Sequence, residues 1–595
     1  MIKKGCRYFI LIALSTAMVP MAMAADGEAM NKEWGEQVLK LRAADSEKGE
    51  LFIDGNYAMF IHWGLYSQIA NQYKGRTYYG IGEWIMNPQM ANIPFDEYKT
   101  VAKEFNPTNF SGRAIARLAK DAGMKYVIIT AKHHDGFAMY DTKVNDYNIV
   151  DMTPYAKDPM KELAEACREE GIGFGFYYSH AKDWTTPGAR NAPKVDADGN
   201  PVSFDDYFYS KSLPQLKEIT SNYGPLVLIW FDTPGNIDKK YVDILTDVVR
   251  KNQPKALING RIGAGGGDYQ SLGDMEVPRG NVEGMWETVD TSNDSWSYAW
   301  YDKNWKTPKE ILERLISTVA RGGTYMLNVG PRGDGSVPED AQRTLRSAGE
   351  WIRQYPFVVY GTDASPWGHA LPWGDVTVKE NRLFLSLYEM PADHVLNLPG
   401  LKTEIVSVSL FNADEKQPLS FRKENGWIRM ELPCEIQEKR IPVIEVELTG
   451  TPDVDPCRGI DPAVTTELLV EFAEVQGAES DEKRWMEKFG EWKGVHHAFD
   501  WQAGGTASWD VDVLEPGAYQ VDLTYAGEGR IVWQVAVEDG DRIQNQQNSS
   551  HNYQKFPIGW IHFDKPGRHK VSVSCLEGNL EKASLKKIHF TRIDL

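Results

Sequence analysis

Between about residues 57 and 330 the chain alternates two hydrophobic patterns. Short unbroken apolar runs, such as Leu226 to Phe231, "KYVIIT" and "IGFGFYY", have the form of parallel strands buried on both faces. Between them lie stretches of helical period. Ile115, Leu118, Ala119 and Ala122 recur on one face ahead of Gly123, a residue suited to a helix C-terminus. A second helix is expected to start at Asp158-Pro159, a cap followed by proline, and to stop at Gly171. Thr307-Pro308-Lys309-Glu310 is a capping box ahead of Leu312, Leu315, Ile316 and Val319. Repeated strand–helix units over this length predict an α/β fold, an irregular (β/α)8-type barrel, with a doubly wound sheet as the alternative.

Near residue 358 the period changes to two. "RLFLSLYEM", "IVSVSLF" and "IPVIEVELTG" predict an antiparallel β-sandwich, and "TPDVDPCRGIDP" reads as a linker. Beyond it, "EPGAYQVDLTYAG", "RIVWQVAVED" and "DKPGRHKVSVSCLEG" predict a second, C-terminal β-sandwich. The expected division is a leader over 1–24, a barrel over 25–357, a sandwich over 358–452 and another over 465–595. The linker suggests that the last unit is separable and not needed for chemistry.

The leader rests on Lys3, Lys4 and Arg7 before an apolar stretch, closed by Ala22-Met23-Ala24. That pattern predicts a cleaved signal and an exported protein, periplasmic or secreted. No later segment approaches the ~20 apolar residues needed to span a bilayer. The formal charge of −19 argues against a nucleic-acid partner, which needs a basic surface. Cys167, Cys434, Cys457 and Cys575 are too dispersed for a disulfide scaffold or a C-x-x-C metal site, though Cys434 and Cys457 could pair. The sequence does not settle the oligomeric state.

Five patches in the barrel region place polar residues at predicted strand ends. They hold His62, then Glu83 and Trp84, then His133, His134 and Asp135, then Tyr177 and Tyr178, and finally Asp232, which ends "LVLIWFD". Barrel enzymes place their chemistry at such strand ends. The paired histidines raise a metal site, but neighbouring strand residues point to opposite faces and neither H-x-H nor H-E-x-x-H occurs. No metal or cofactor is expected. Glycoside hydrolysis suits the residues better, since it needs two carboxylates and donors for sugar hydroxyls. Asp232 supplies one; His62, His133, Tyr177 and Arg261 are candidate donors, and Trp84, Trp230 and Trp296 candidate walls. Glu276, Glu283 and Glu287 compete for the second carboxylate.

"FIHWG", "EWIMN", "KHHDGF", "GFYYSHAKDW", "WFD", "WET…SWSY" and "LNVGPRGDGSVPEDAQRTLRSAGEWI" occur in the order seen in family 29 glycoside hydrolases, the retaining α-L-fucosidases. The resemblance covers roughly residues 30 to 450. It implies an irregular barrel followed by a β-sandwich, and metal-independent, exo-acting removal of terminal α-L-fucose from fucosylated oligosaccharides or glycoconjugates. By position, Asp232 resembles the nucleophile. His62, Glu83, Trp84, His133, His134, Tyr177, Trp230, Arg261 and Trp296 resemble the sugar pocket. Glu287, in "MWET", resembles the acid/base of a bacterial subgroup, while other members place that role near Asp274 or Glu276. The rivals are a related exo-glycosidase for α-L-galactose and a non-catalytic carbohydrate-binding protein. The C-terminal sandwich lies outside the resemblance; it is similar to carbohydrate-binding modules, with a plain structural sandwich as the alternative.

Overall fold

The computed structural model describes residues 55–593, apart from 413–414, 435, 437–439, 456 and 489–490. The segment read as an export signal, 1–24, lies outside the described residues.

Eight parallel strands form one curled sheet: β1 (Tyr57–Ile61), β2 (Tyr126–Lys132), β3 (Gly173–Tyr178), β4 (Leu228–Phe231), β5 (Leu257–Ile258), β6 (Gln270–Ser271), β7 (Trp286–Thr291) and β8 (Thr324–Val329). Their bonded order is β5-β4-β3-β2-β1-β8-β7-β6, and a parallel bridge from Asn259 to Tyr269 joins β5 to β6. Each strand lies beside its neighbours in sequence, with no reversal of order. That is a closed barrel, not a doubly wound sheet. Its irregularity is local: β5 and β6 have two residues each and are linked through a 3-10 turn at Gly260–Ile262 rather than a helix.

The unbroken apolar runs follow from burial on both faces. Ala58, Phe60, Ile128, Tyr177, Leu228 and Trp230 pack together inside the barrel. Their neighbours Met59, Ile61, Val127, Ile129, Phe176 and Phe231 join the larger core outside it. Six helices of nine residues or more surround the strands among the described residues, including Gly112–Asp121, Pro159–Glu170 and Pro308–Ala320. The cap signals act as expected. Asp158 accepts from the amides of Met160 and Lys161, Gly171 closes its helix at φ 73°, and both bonds of the Thr307–Glu310 capping box form.

A five-stranded and a three-stranded antiparallel sheet follow between Gly374 and Leu448, around Trp373, Leu385, Leu398, Met430 and Ile444. Two six-stranded sheets then enclose a separate core with Trp509, Tyr519, Trp533 and Phe590. Part of the stretch read as a linker is structural: Arg458–Ile460 pairs in parallel with Thr506–Val513. The last sandwich is also tied to the middle one, through Trp427 Nε1 donating to Asp512 (3.0 Å) and Arg429 pairing with Glu515 (2.7 Å). Cys167, Cys434, Cys457 and Cys575 are free thiols, so Cys434 and Cys457 do not pair. Among the described residues no helix is long and apolar enough to cross a membrane.

Candidate active site

Parallel strands all release their chains at one rim, so strand-end residues converge there. His62 follows β1, His133 and His134 follow β2, Asp232 follows β4, and Arg261 lies on the turn after β5. Loops beyond β1 and β7 add Glu83, Trp84 and Trp296. All of these, with Trp230, line one cavity of ≈ 700 Å³.

Asp232 is held from several sides. It accepts from the Tyr177 hydroxyl at 2.9 Å, and it lies 3.5 Å from both Arg261 Nη1 and His134 Nε2. Tyr177 does not line the cavity. It points into the barrel and works from behind Asp232, while Tyr178 faces outward and donates to the Ser212 carbonyl and Gln215. His62 Nδ1 bonds Asn328 Oδ1 at 2.8 Å, and His133 Nδ1 is buried with no protein partner. Burial drives the His62 pKa down to about 4 and those of His133 and His134 well below the usual value. The three rings are therefore neutral at pH 7, able to give or take a hydrogen bond from a hydroxyl.

The expectation of opposed histidines fails because β2 ends at Lys132. Past it the chain turns, and the rings of His133 and His134 lie 4.1 Å apart in the cavity wall. With Asp232 they place three ligand-type atoms within 4.8 Å of one another. Two of the three are engaged: His134 Nδ1 bonds Ser179 (2.7 Å), its Nε2 faces Thr233 (3.3 Å), and Asp232 faces Tyr177 and Arg261. A cation there would sit beside a guanidinium and displace those bonds, so the donor set fits a metal poorly.

Glu287 is not where its motif context placed it. It is the second residue of β7, toward the end of the strand away from the cavity. It is 0 % exposed and accepts from Trp230 Nε1 (2.5 Å), Ser271 Oγ (2.6 Å) and the Tyr269 hydroxyl (2.9 Å). It does not line the cavity, and its bond holds the Trp230 ring, over which Arg261 lies at 5.0 Å. Glu276 also stays outside the cavity lining. Asp274 does line it, with its side chain 16 % exposed and bonded to Arg261 Nη2 at 2.5 Å. Burial, reinforced by the Asp232 charge and opposed by Arg261, raises the Asp274 pKa to about 6. Glu83 accepts from the Ser297 amide (3.2 Å), and burial raises its pKa to about 8.

The sequence did not single out Lys182 and Trp184, which also line the cavity. Their loop is anchored by buried Asp183, bonded to Lys211 (2.9 Å) and Lys132 (3.2 Å). The only sequence signal was their presence in "SHAKDW". In the last sandwich, His496 bonds Ser480 at 3.0 Å and His497 stacks on Phe499.

A family model described as "Alpha-L-fucosidase" matches residues 22–356. Rat (Rattus norvegicus) tissue alpha-L-fucosidase is 28% identical over 376 residues, covering 59% of this chain and 78% of its own. Human (Homo sapiens) plasma alpha-L-fucosidase is 27% identical over 408 residues, covering 64% and 85%. Among solved structures, the alpha-L-fucosidase of Vibrio sp. strain EJY3 superposes with a TM-score of 0.74 at 27% identity, covering 90% of this chain and 96% of that one. Isoenzyme 1 of Paenibacillus thiaminolyticus gives 0.61 at 29% identity, covering 68% and 99%.

Proposed function

The chain belongs to the alpha-L-fucosidase family of glycoside hydrolases and hydrolyses terminal fucose from glycans, and on that footing we propose a retaining double displacement with Asp232 as nucleophile and Asp274 as acid/base. The observation that carries the pairing is Arg261, whose guanidinium contacts both carboxylates in one cavity wall. Retention calls for carboxyl groups ~5–5.5 Å apart, with no room for a water between nucleophile and sugar. One guanidinium spanning both is compatible with that shorter geometry.

In the first step an Asp232 oxygen bonds the anomeric carbon as the glycosidic bond breaks, and Asp274 gives its proton to the leaving oxygen. In the second, Asp274 takes a proton from water, whose oxygen replaces Asp232. A carboxyl with pKa about 6 suits both duties near neutrality. Neutral His62, His133 and His134 would hold the ring hydroxyls. Phe60 and Trp296, 6.2 Å apart in the cavity lining, offer an apolar corner for the C6 methyl.

The test is the Asp274→Ala variant with azide. It should recover turnover of an activated aryl fucoside and give a fucosyl azide of retained configuration. Inverted product from the wild type, or rescue by azide in Glu287→Ala instead, would refute the assignment. An exported location is proposed from residues 1–24 alone; finding the uncleaved chain in the cytoplasm would overturn it.

A further inference from the structure

The turn that carries Asp274 does not stand alone. Gly273 donates its amide to Glu276 Oε2 (3.1 Å), the Glu276 amide returns to the Gly273 carbonyl (3.1 Å), and between them Met275 is held at φ 60°. A left-handed methionine is an unfavourable conformation that persists only where surroundings enforce it. Inside the barrel, the Met275 amide bonds the Val289 carbonyl (2.7 Å) and Thr288 Oγ1 donates to the Glu276 carbonyl (2.7 Å).

The Glu276 side chain leaves the barrel and meets the C-terminal sandwich. Its Oε1 lies 3.4 Å from Arg484 Nη2, on the strand Glu479–Lys488. Glu482 steadies the same guanidinium from Nε at 2.8 Å. The strand opposite, Glu491–Phe499, pairs Gly494 with Arg484. A Cβ at Gly494 would stand 2.4 Å from Glu482 Oε1 and 3.2 Å from Glu276 Oε1, so the missing side chain leaves room for both carboxylates that meet Arg484. Glu276 is 12 % exposed and Arg484 25 %. Charges this enclosed are costly to leave unpaired. The same face is closed further along, where Phe472 packs against the Gly280 backbone and the His369 ring.

We propose that Arg484 is a positioning residue for the catalytic carboxyl of Asp274, so that the C-terminal sandwich completes the active site by pinning the turn that carries it. Among the described residues, none of its hairpin lines the cavity. Arg484 acts through Glu276, two residues from Asp274. The inference rests on Asp274 being the acid/base, and it contradicts the expectation that residues 465–595 are not needed for chemistry.

The experiment uses the full chain and two substrates, phenyl α-L-fucoside, whose leaving group needs a proton, and 2,4-dinitrophenyl α-L-fucoside, whose leaving group does not. Arg484→Met keeps the apolar stem and removes the charge. It should lower kcat/KM for the phenyl substrate by about 10- to 100-fold, as small misplacements of catalytic groups do. The dinitrophenyl substrate should stay within about twofold, and Arg484→Lys should recover part of the loss. Gly494→Ala presses a methyl on Glu482 and Glu276, the two carboxylates that meet Arg484, without removing a charge, and should give the same leaving-group signature more weakly. Equal losses on both substrates, or none, would overturn the proposal. Asp274→Ala is the control that separates the two claims. If it lacks the leaving-group signature, the acid/base assignment fails; if it shows it and Arg484→Met does not, only the positioning role falls.

Discussion

Asp232 and Asp274 share one guanidinium, yet the chain delivers them in opposite ways. Asp232 follows directly on β4, whose four residues are all buried. Its position is set by the barrel ladder and by Tyr177 on the adjacent strand, paired in register with Trp230. Asp274 lies on a turn between β6 and β7, fixed by Arg261, Met275 and a contact from more than two hundred residues away. A carboxylate on a strand end needs only the fold to be in place. One on a turn needs each of its remote props, so its orientation is easier to disturb and easier to tune.

The sharpest test of the contrast is at the strand end. Asp232→Asn is nearly isosteric and removes the nucleophile, so hydrolysis of an aryl fucoside should fall by several orders of magnitude while calorimetry still detects fucose binding. Activity within about tenfold of wild type would take Asp232 out of the role and dissolve the comparison.

Asp274→Ala should cost about 10²–10⁴-fold on phenyl fucoside, the usual range for losing a general acid. Its pH profile makes the claim sharper. Asp274 must start protonated, and its pKa is raised from the ordinary 3.8 to about 6. Wild-type kcat/KM for phenyl fucoside should therefore fall as pH rises through about 6. With the dinitrophenyl substrate that alkaline limb should flatten, because its departure needs no proton. The groups facing Asp274 include Arg261 and Asp232, with Glu83 protonated up to about pH 8. A limb equally steep on both substrates would point to substrate binding instead.

What the sequence made legible divides along the same line. "LVLIWFD" exposes Asp232 because an apolar run that stops at a carboxylate is a local pattern. His62, Glu83, Trp84, Trp230, Arg261 and Trp296 were reachable through motif order and strand ends, and all line the cavity. Tyr177 was found at the end of an apolar strand run as a candidate donor to the sugar, but it serves as a support behind Asp232 and does not line the cavity. Asp274 carries no such mark. "WET" drew attention to Glu287 because it resembles the acid/base motif of a bacterial subgroup, and a motif does not say at which end of its strand it will fall. The two-residue strands β5 and β6, the parallel strand hidden in a proline-rich stretch and the Arg484 contact all depend on tertiary packing. Local periodicity says nothing of them.

Glu287 gives a smaller effect with a definite sign. Burial outweighs its three donors and raises its pKa from 4.5 to about 7. The folded chain then holds that proton more tightly than the unfolded chain between those values, so stability is lost as pH rises through the window. Glu287→Gln carries no such titration. The melting temperature of wild type should decline relative to the variant from about pH 4.5 to about pH 7, then run parallel. Azide should not accelerate the variant. A fucosyl azide from it would return Glu287 to the catalytic pair.

The smallest expected effect is that of a chelator. His133, His134 and Asp232 are close enough to suggest a cation. Each ring is neutral, which a metal would accept, but His134 is engaged at both nitrogens by Ser179 and Thr233. The Asp232 oxygens are engaged by the Tyr177 hydroxyl and Arg261, and a nucleophile must keep a lone pair free for carbon. A divalent ion on that carboxylate would compete with the substrate for the same electrons and stand beside the guanidinium that links it to Asp274. Dialysis against EDTA should therefore leave kcat and KM for an aryl fucoside unchanged, and added zinc should inhibit rather than activate, competitively with fucose. Loss of activity on dialysis that returns with one particular metal would mean that the strand-end carboxylate is a ligand. The contrast between a fixed nucleophile and a tunable acid would then have to be redrawn around the ion.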